Sequence, residues 1–68
     1  MNDDKEWGQK LLVARKSKGM TQIEAGALLS VSYRTYKGWE LGEHAPNELS
    51  KRVALDTIQR MPDATKEE

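Results

Sequence analysis

The chain has no cysteine and no phenylalanine, and only two prolines and one histidine among its 68 residues. Without cysteine, neither a disulfide framework nor a thiolate metal site is available, and an intracellular, cytoplasmic setting is the natural expectation. A single histidine, His44, and carboxylates scattered along the chain give no metal-ligand cluster, and neither a Gly-rich phosphate loop nor a nucleophile motif occurs. No cofactor and no enzymatic activity are therefore expected. No apolar run approaches the ~20 residues needed to cross a bilayer, and the acidic start, Met1 to Glu6, lacks the basic and apolar segments of a signal peptide. A chain this short buries only around 60% of the surface its unfolded form exposes. Aliphatic side chains, with Trp7, Trp39, Tyr33 and Tyr36, must supply an economical core.

Net charge is also lacking, since 11 basic residues balance 11 acidic ones. The distribution is uneven. Asp3, Asp4 and Glu6 outweigh Lys5 at one end, and Asp63, Glu67 and Glu68 outweigh Lys66 at the other, so the body between them is basic. Contact with a polyanion is decided by the local surface rather than by the sum. The sequence reads as a flexible acidic N-terminus over 1–5, one domain over 6–61, and a disordered acidic tail over 62–68.

No stretch alternates apolar and polar residues, so no strand is predicted and the fold class is all-α, a compact bundle of four or five short helices. The first helix is predicted from about Lys5 to Lys18, with Trp7, Leu11 and Ala14 at helical spacing and Gly19 as its left-handed cap. Thr21 followed by Glu24 is a capping box that starts a second helix at Gln22, with Met20 set to staple onto Ala25; this helix ends by Ser30. Ser32 can cap a third helix, Tyr33 to Leu41, which Gly42 closes. Pro46 and Asn47 open the last, whose apolar face is Leu49, Val53, Ile58 and Met61 before Pro62.

Two short helices across a tight turn, with Arg15, Gly19, Thr21-Gln22, Leu28-Leu29, Val31-Ser32, Trp39-Glu40, Gly42 and Pro46 around them, resemble the Cro and repressor type of helix-turn-helix domain. The resemblance implies a lambda-repressor-like fold with the helix-turn-helix at about 21–39, and a third helix lying in the major groove of double-stranded DNA. Gly26 stands where the two helices approach and where the family usually has alanine, while Ser30 stands at a turn position that is usually glycine.

Base reading is implied for the outward residues near the start of the third helix, Ser32, Tyr33, Arg34 and Gly38. Arg34 can donate twice to a guanine edge, whereas Gly38 either lets the helix sit close to DNA or marks a position where specificity was given up. Gln22 matches a family glutamine that holds a phosphate oxygen, and Lys37 and Lys18 are further phosphate candidates. Arg15 and Glu40 match a partly buried salt bridge between the first and third helices. The loop after the third helix, Gly42-Glu43-His44-Ala45, departs from the family's basic pattern, so Lys10, Lys16, Lys18, Lys51 or Arg52 would have to compensate.

Other readings stand beside these. Arg34 and Lys37 could be ordinary solvated charges, Tyr33 surface packing, and Ser32 a cap, a reader or both. Leu12 and Val13 lie beside the core face of the first helix, either covered by the last helix or forming a subunit interface, which Leu55, off the main apolar stripe of the last helix, supports. The leading expectation is a transcriptional regulator, a repressor binding a palindromic operator as a homodimer. The competing one is a protein-interaction module or antitoxin-like protein that grips a protein partner, favoured by Glu43, Gly38 and the neutral total.

Overall fold

The computed structural model describes residues 3–62, and these form four helices and no strand: α1 (Asp3–Ser17), α2 (Gln22–Leu28), α3 (Tyr33–Leu41) and α4 (Glu48–Gln59). The tail expected to be disordered lies, from residue 63 onward, outside the described residues. α1 starts earlier than the sequence suggested, so residues 3–5, expected to be flexible, are helical. Two forces favour that extension. Asp3, Asp4 and Glu6 in the first turn complement the positive end of the helix dipole, and Asp4 pairs with Lys51 of α4 at 2.8 Å.

The capping box at α2 forms as expected. The Glu24 N–H donates to Thr21 Oγ1 at 3.0 Å, and the Thr21 N–H donates to Glu24 Oε1 at 2.9 Å. After Leu29 the chain turns through Ser30 at φ 62°, the left-handed region, which costs a residue carrying a Cβ roughly 1 kcal/mol. The turn is closed by the Val31 N–H donating to the Gly26 carbonyl at 2.9 Å, so the helix end is satisfied before α3 begins. Gly26 is buried here, and a Cβ would meet the Val31 carbonyl oxygen at 3.1 Å, a tight contact that a small backbone shift would relieve.

Helix α1 is the spine, packing against both α3 and α4, while α2 packs on α3. Leu11, Ala25, Tyr36 and Ile58 are fully buried at the centre, with Trp7, Ala14, Trp39 and Ala54 around them. The Trp7 and Trp39 rings meet in a tilted pair, centroids 5.5 Å apart, and the Trp7 indole N–H donates to the Lys51 carbonyl at 3.0 Å. That bond, with Ala54 and Ile58 in the core, holds the rotation of α4. The helix turns Lys51, Ala54 and Ile58 inward, so of the predicted face Ile58 is buried and Met61 half-buried, but Leu49 is 69% and Val53 56% exposed. Lys51 tolerates burial because its ammonium reaches both Asp4 and Glu48.

Gly8 is the point of closest approach between α1 and α3. A Cβ there would strike the Trp39 carbonyl oxygen and come within 2.8 Å of the Glu40 carbonyl oxygen, both fixed backbone atoms. Gly8→Ala should therefore lower stability by about 1–3 kcal/mol despite alanine's better helix propensity. Urea unfolding of the pair measures this, and an alanine variant as stable as wild type would show that α1 can shift away freely.

Candidate nucleic-acid interface

Helix α3 divides into two faces. Its inner face carries Tyr36, Trp39 and Glu40, all buried, and Glu40 is the hub. Its carboxylate accepts from Arg15 Nε at 2.6 Å, Arg15 Nη2 at 3.2 Å and Gln22 Nε2 at 3.0 Å. Arg15 Nη1 also donates to the Met20 carbonyl at 3.0 Å, so one side chain ties α1 to the start of α2 and to α3. The expected Arg15–Glu40 bridge is present, at the core and not the surface.

Burial pushes the Glu40 carboxyl upward, but hydrogen bonds from Arg15 and Gln22 and the guanidinium charge outweigh it, leaving its pKa below the ordinary carboxylate value. The Tyr36 phenol is pushed well above its usual range, first by burial and then by the Glu40 carboxylate beside it. Its hydroxyl lies next to the ion pair, yet it makes no hydrogen bond of proper geometry among the described residues.

The outer face presents Tyr33, Arg34 and Lys37, all exposed. Arg34 makes no hydrogen bond or ion pair with the described residues, so its five donors are available. The Lys37 ammonium lies over the Tyr33 ring, 5.8 Å from its centroid, which joins the two into one cationic, aromatic surface. Ser32 is different. Its hydroxyl accepts from the Thr35 N–H at 3.1 Å and donates to Thr35 Oγ1 at 3.0 Å, an N-cap that leaves it little freedom to read a base.

Other expected contacts are redistributed. The Gln22 amide is held by Glu40, so it is first a strut of the ion-pair hub, with its second N–H and its backbone N–H left over. Lys18 lines a cleft with Val13 and Gln59, beside the far end of α4. Lys51 is committed to Asp4 and Glu48 and cannot serve as a phosphate contact. Of the expected interface trio, Leu55 of α4 is half-buried against the core and Leu12 of α1 is half-buried; Val13 alone is exposed.

Two features escaped the sequence. The Leu49–Val53 pair borders an apolar groove lined by Leu29, Val31, Trp39 and Pro46. Gly38 leaves no gap, because the His44 imidazole rests on it; a Cβ at Gly38 would fall on Nε2 and 2.8 Å from Cδ2.

A family model described as helix-turn-helix matches residues 11–50, more than half of the chain. No curated protein and no solved structure gives a match.

The Glu40 shift fixes a pH dependence. A carboxyl whose folded pKa lies below its unfolded value binds fewer protons when folded, so its stabilisation is present above the unfolded pKa of about 4.3 and is lost as pH falls through the folded one. Wild type should therefore lose stability on acidification below about pH 5 more steeply than Glu40→Gln, which carries no titrating group there but is less stable at pH 7. Thermal melts from pH 7 to pH 3 compare the two slopes, and parallel slopes would show that Glu40 is not the titrating anchor.

Proposed function

The chain belongs to the Cro and repressor type of helix-turn-helix, a family of DNA-binding regulators, and from that premise we propose that it is a repressor that binds a palindromic operator as a homodimer. Each copy inserts α3 into one major groove, and the two half-sites stand roughly 34 Å apart, one turn of DNA. The observation that carries this reading is the free Arg34 fork on the outer face of α3, beside the Tyr33–Lys37 pair. Arg34 reads a guanine edge, Tyr33 packs on a thymine methyl or the sugar edge, and Lys37 neutralises a phosphate. Gln22, through the N–H groups that Glu40 does not use, adds a second phosphate contact. A domain that covers a promoter blocks polymerase by occupancy, with no further chemistry.

Selection from a randomised duplex library, followed by titration at two salt concentrations, tests the reading. Arg34→Ala should cost about 1–3 kcal/mol and relax preference at one base pair, whereas Lys37→Ala should weaken all sequences alike and reduce the salt slope by about one. If wild type and Arg34→Ala bind every sequence equally and weakly, base reading by Arg34 is wrong.

Two copies are needed because one presents few base-reading side chains. The surface for the second copy is the exposed Leu49 and Val53, with the groove that runs from them to Leu29 and Val31. Apolar side chains this exposed on a domain this small are otherwise a cost to solubility. Leu49→Glu should give a monomer in sedimentation velocity, with unchanged circular dichroism and weaker operator binding, while Val13→Glu leaves the dimer intact. A dimer that survives Leu49→Glu would move the interface elsewhere.

A further inference from the structure

We propose that His44 is a DNA-reading residue of α3's outer face, delivered from the following loop onto the seat that Gly38 leaves open; this rests on the DNA-binding reading above. Gly38 follows Arg34 by four residues, so the two share one helix face and stand about one turn, roughly 5.4 Å, apart. A side chain at that position would project beside Arg34. Gly38 has none, yet it is buried, because the edge of the His44 imidazole lies against it.

The loop is built to bring the ring there. Gly42 takes the left-handed φ of 80°, its N–H donates to the Trp39 carbonyl at 3.2 Å, and the Glu43 N–H donates to the Gly38 carbonyl at 3.0 Å. The chain thus folds back along the outer face of α3 within two residues. His44 itself remains exposed, so part of the ring faces solvent. With Nε2 turned to Gly38, Nδ1 is the ring nitrogen on the other edge, and as an N–H it can donate to a purine N7 or O6, both acceptors, in the major groove. The glycine is therefore a seat for a neighbouring ring and not a lost contact.

Because the atoms that a Cβ would strike belong to the tip of a loop side chain, Gly38→Ala should expel the ring without breaking the helix. Selection from a randomised duplex library with the full chain compares wild type, Gly38→Ala, His44→Ala, the double variant and Arg34→Ala. Both single variants at the seat should relax preference at the same base pair, next to the one relaxed by Arg34→Ala, and weaken the best site by about fivefold to tenfold. The double variant should lose no more than either. Unchanged preference in Gly38→Ala and His44→Ala, while Arg34→Ala loses its base pair, overturns this assignment alone. So does an equal loss on all sequences in His44→Ala, which would make the ring a phosphate contact. A wild type with no sequence preference at all overturns the DNA reading with it. Should Gly38→Ala melt early, the exposed His44→Ala variant decides by itself.

Discussion

The orientation of α3 depends on one buried carboxylate. Glu40 accepts two hydrogen bonds from Arg15 of α1 and one from Gln22 of α2, while Arg15 also holds the Met20 carbonyl in the turn between them. Taking two ions out of water costs several kcal/mol each, and only good geometry with further hydrogen bonds recovers it. The arrangement meets that demand through the planar guanidinium fork and the Gln22 amide, so the pair contributes direction more than net stability. Removing one partner would be far worse than never having had the pair, because the other charge would stay buried without compensation.

Direction matters here because the elements are short. α2 has seven residues and α3 nine, below the length at which an isolated helix persists in water. Neither can set its own angle. The hub fixes one end of α3, the Ser30 turn fixes the other, and Tyr36 and Trp39 fill the core between. Once Tyr36, Trp39 and Glu40 are inward, the 3.6-residue period leaves Arg34, Lys37 and Gly38 outward, while Tyr33, two turns before Glu40, is exposed because α3 begins there. The exposed surface of α3 is thus a consequence of its anchor. A rotation that exposed Glu40 would carry Arg34 toward the core.

What was legible in the sequence follows the range of each interaction. Thr21 with Glu24, Ser32 with Thr35 and Gly42 act within four residues, and each forms the cap that its local pattern predicts. The Arg15–Glu40 bridge spans 25 residues and was visible only through the family resemblance. The rotation of α4 was visible only in part, since Ile58 was placed inward and Leu49 and Val53 wrongly with it. That helix has apolar residues on both sides, Leu49 and Val53 on one and Ala54, Leu55 and Ile58 on the other, and periodicity cannot choose between them. The choice rests on partners distant in sequence: the core that takes Ala54 and Ile58, and the Trp7 indole N–H, 44 residues away, bonding the Lys51 carbonyl. Gly8 gave a weak sign, since a glycine inside a helix costs about 1 kcal/mol and usually has a packing reason. His44 gave none, because nothing local ties a loop histidine to the glycine six residues before it.

The same pairing explains how a chain of zero net charge serves a polyanion. Glu40 is matched inside the fold by Arg15, Asp4 and Glu48 by Lys51, and Asp56 by Arg60, so many acids do not oppose DNA and several bases do not attract it. What remains at α3 is Arg34 and Lys37, with Glu43 at the far end of the helix. Each phosphate neutralised contributes about 0.9 to the salt slope, so so few cations give a shallow dependence and a weak grip per copy. Sequence-independent attraction is then small, and discrimination must come from base edges. Joining two weak readers raises the effective concentration of the second once the first is bound, without any added contact. In the homodimer proposed above, the exposed apolar pair on α4 would offset the sparse phosphate surface: little affinity in a single domain, and an interface that supplies it in two.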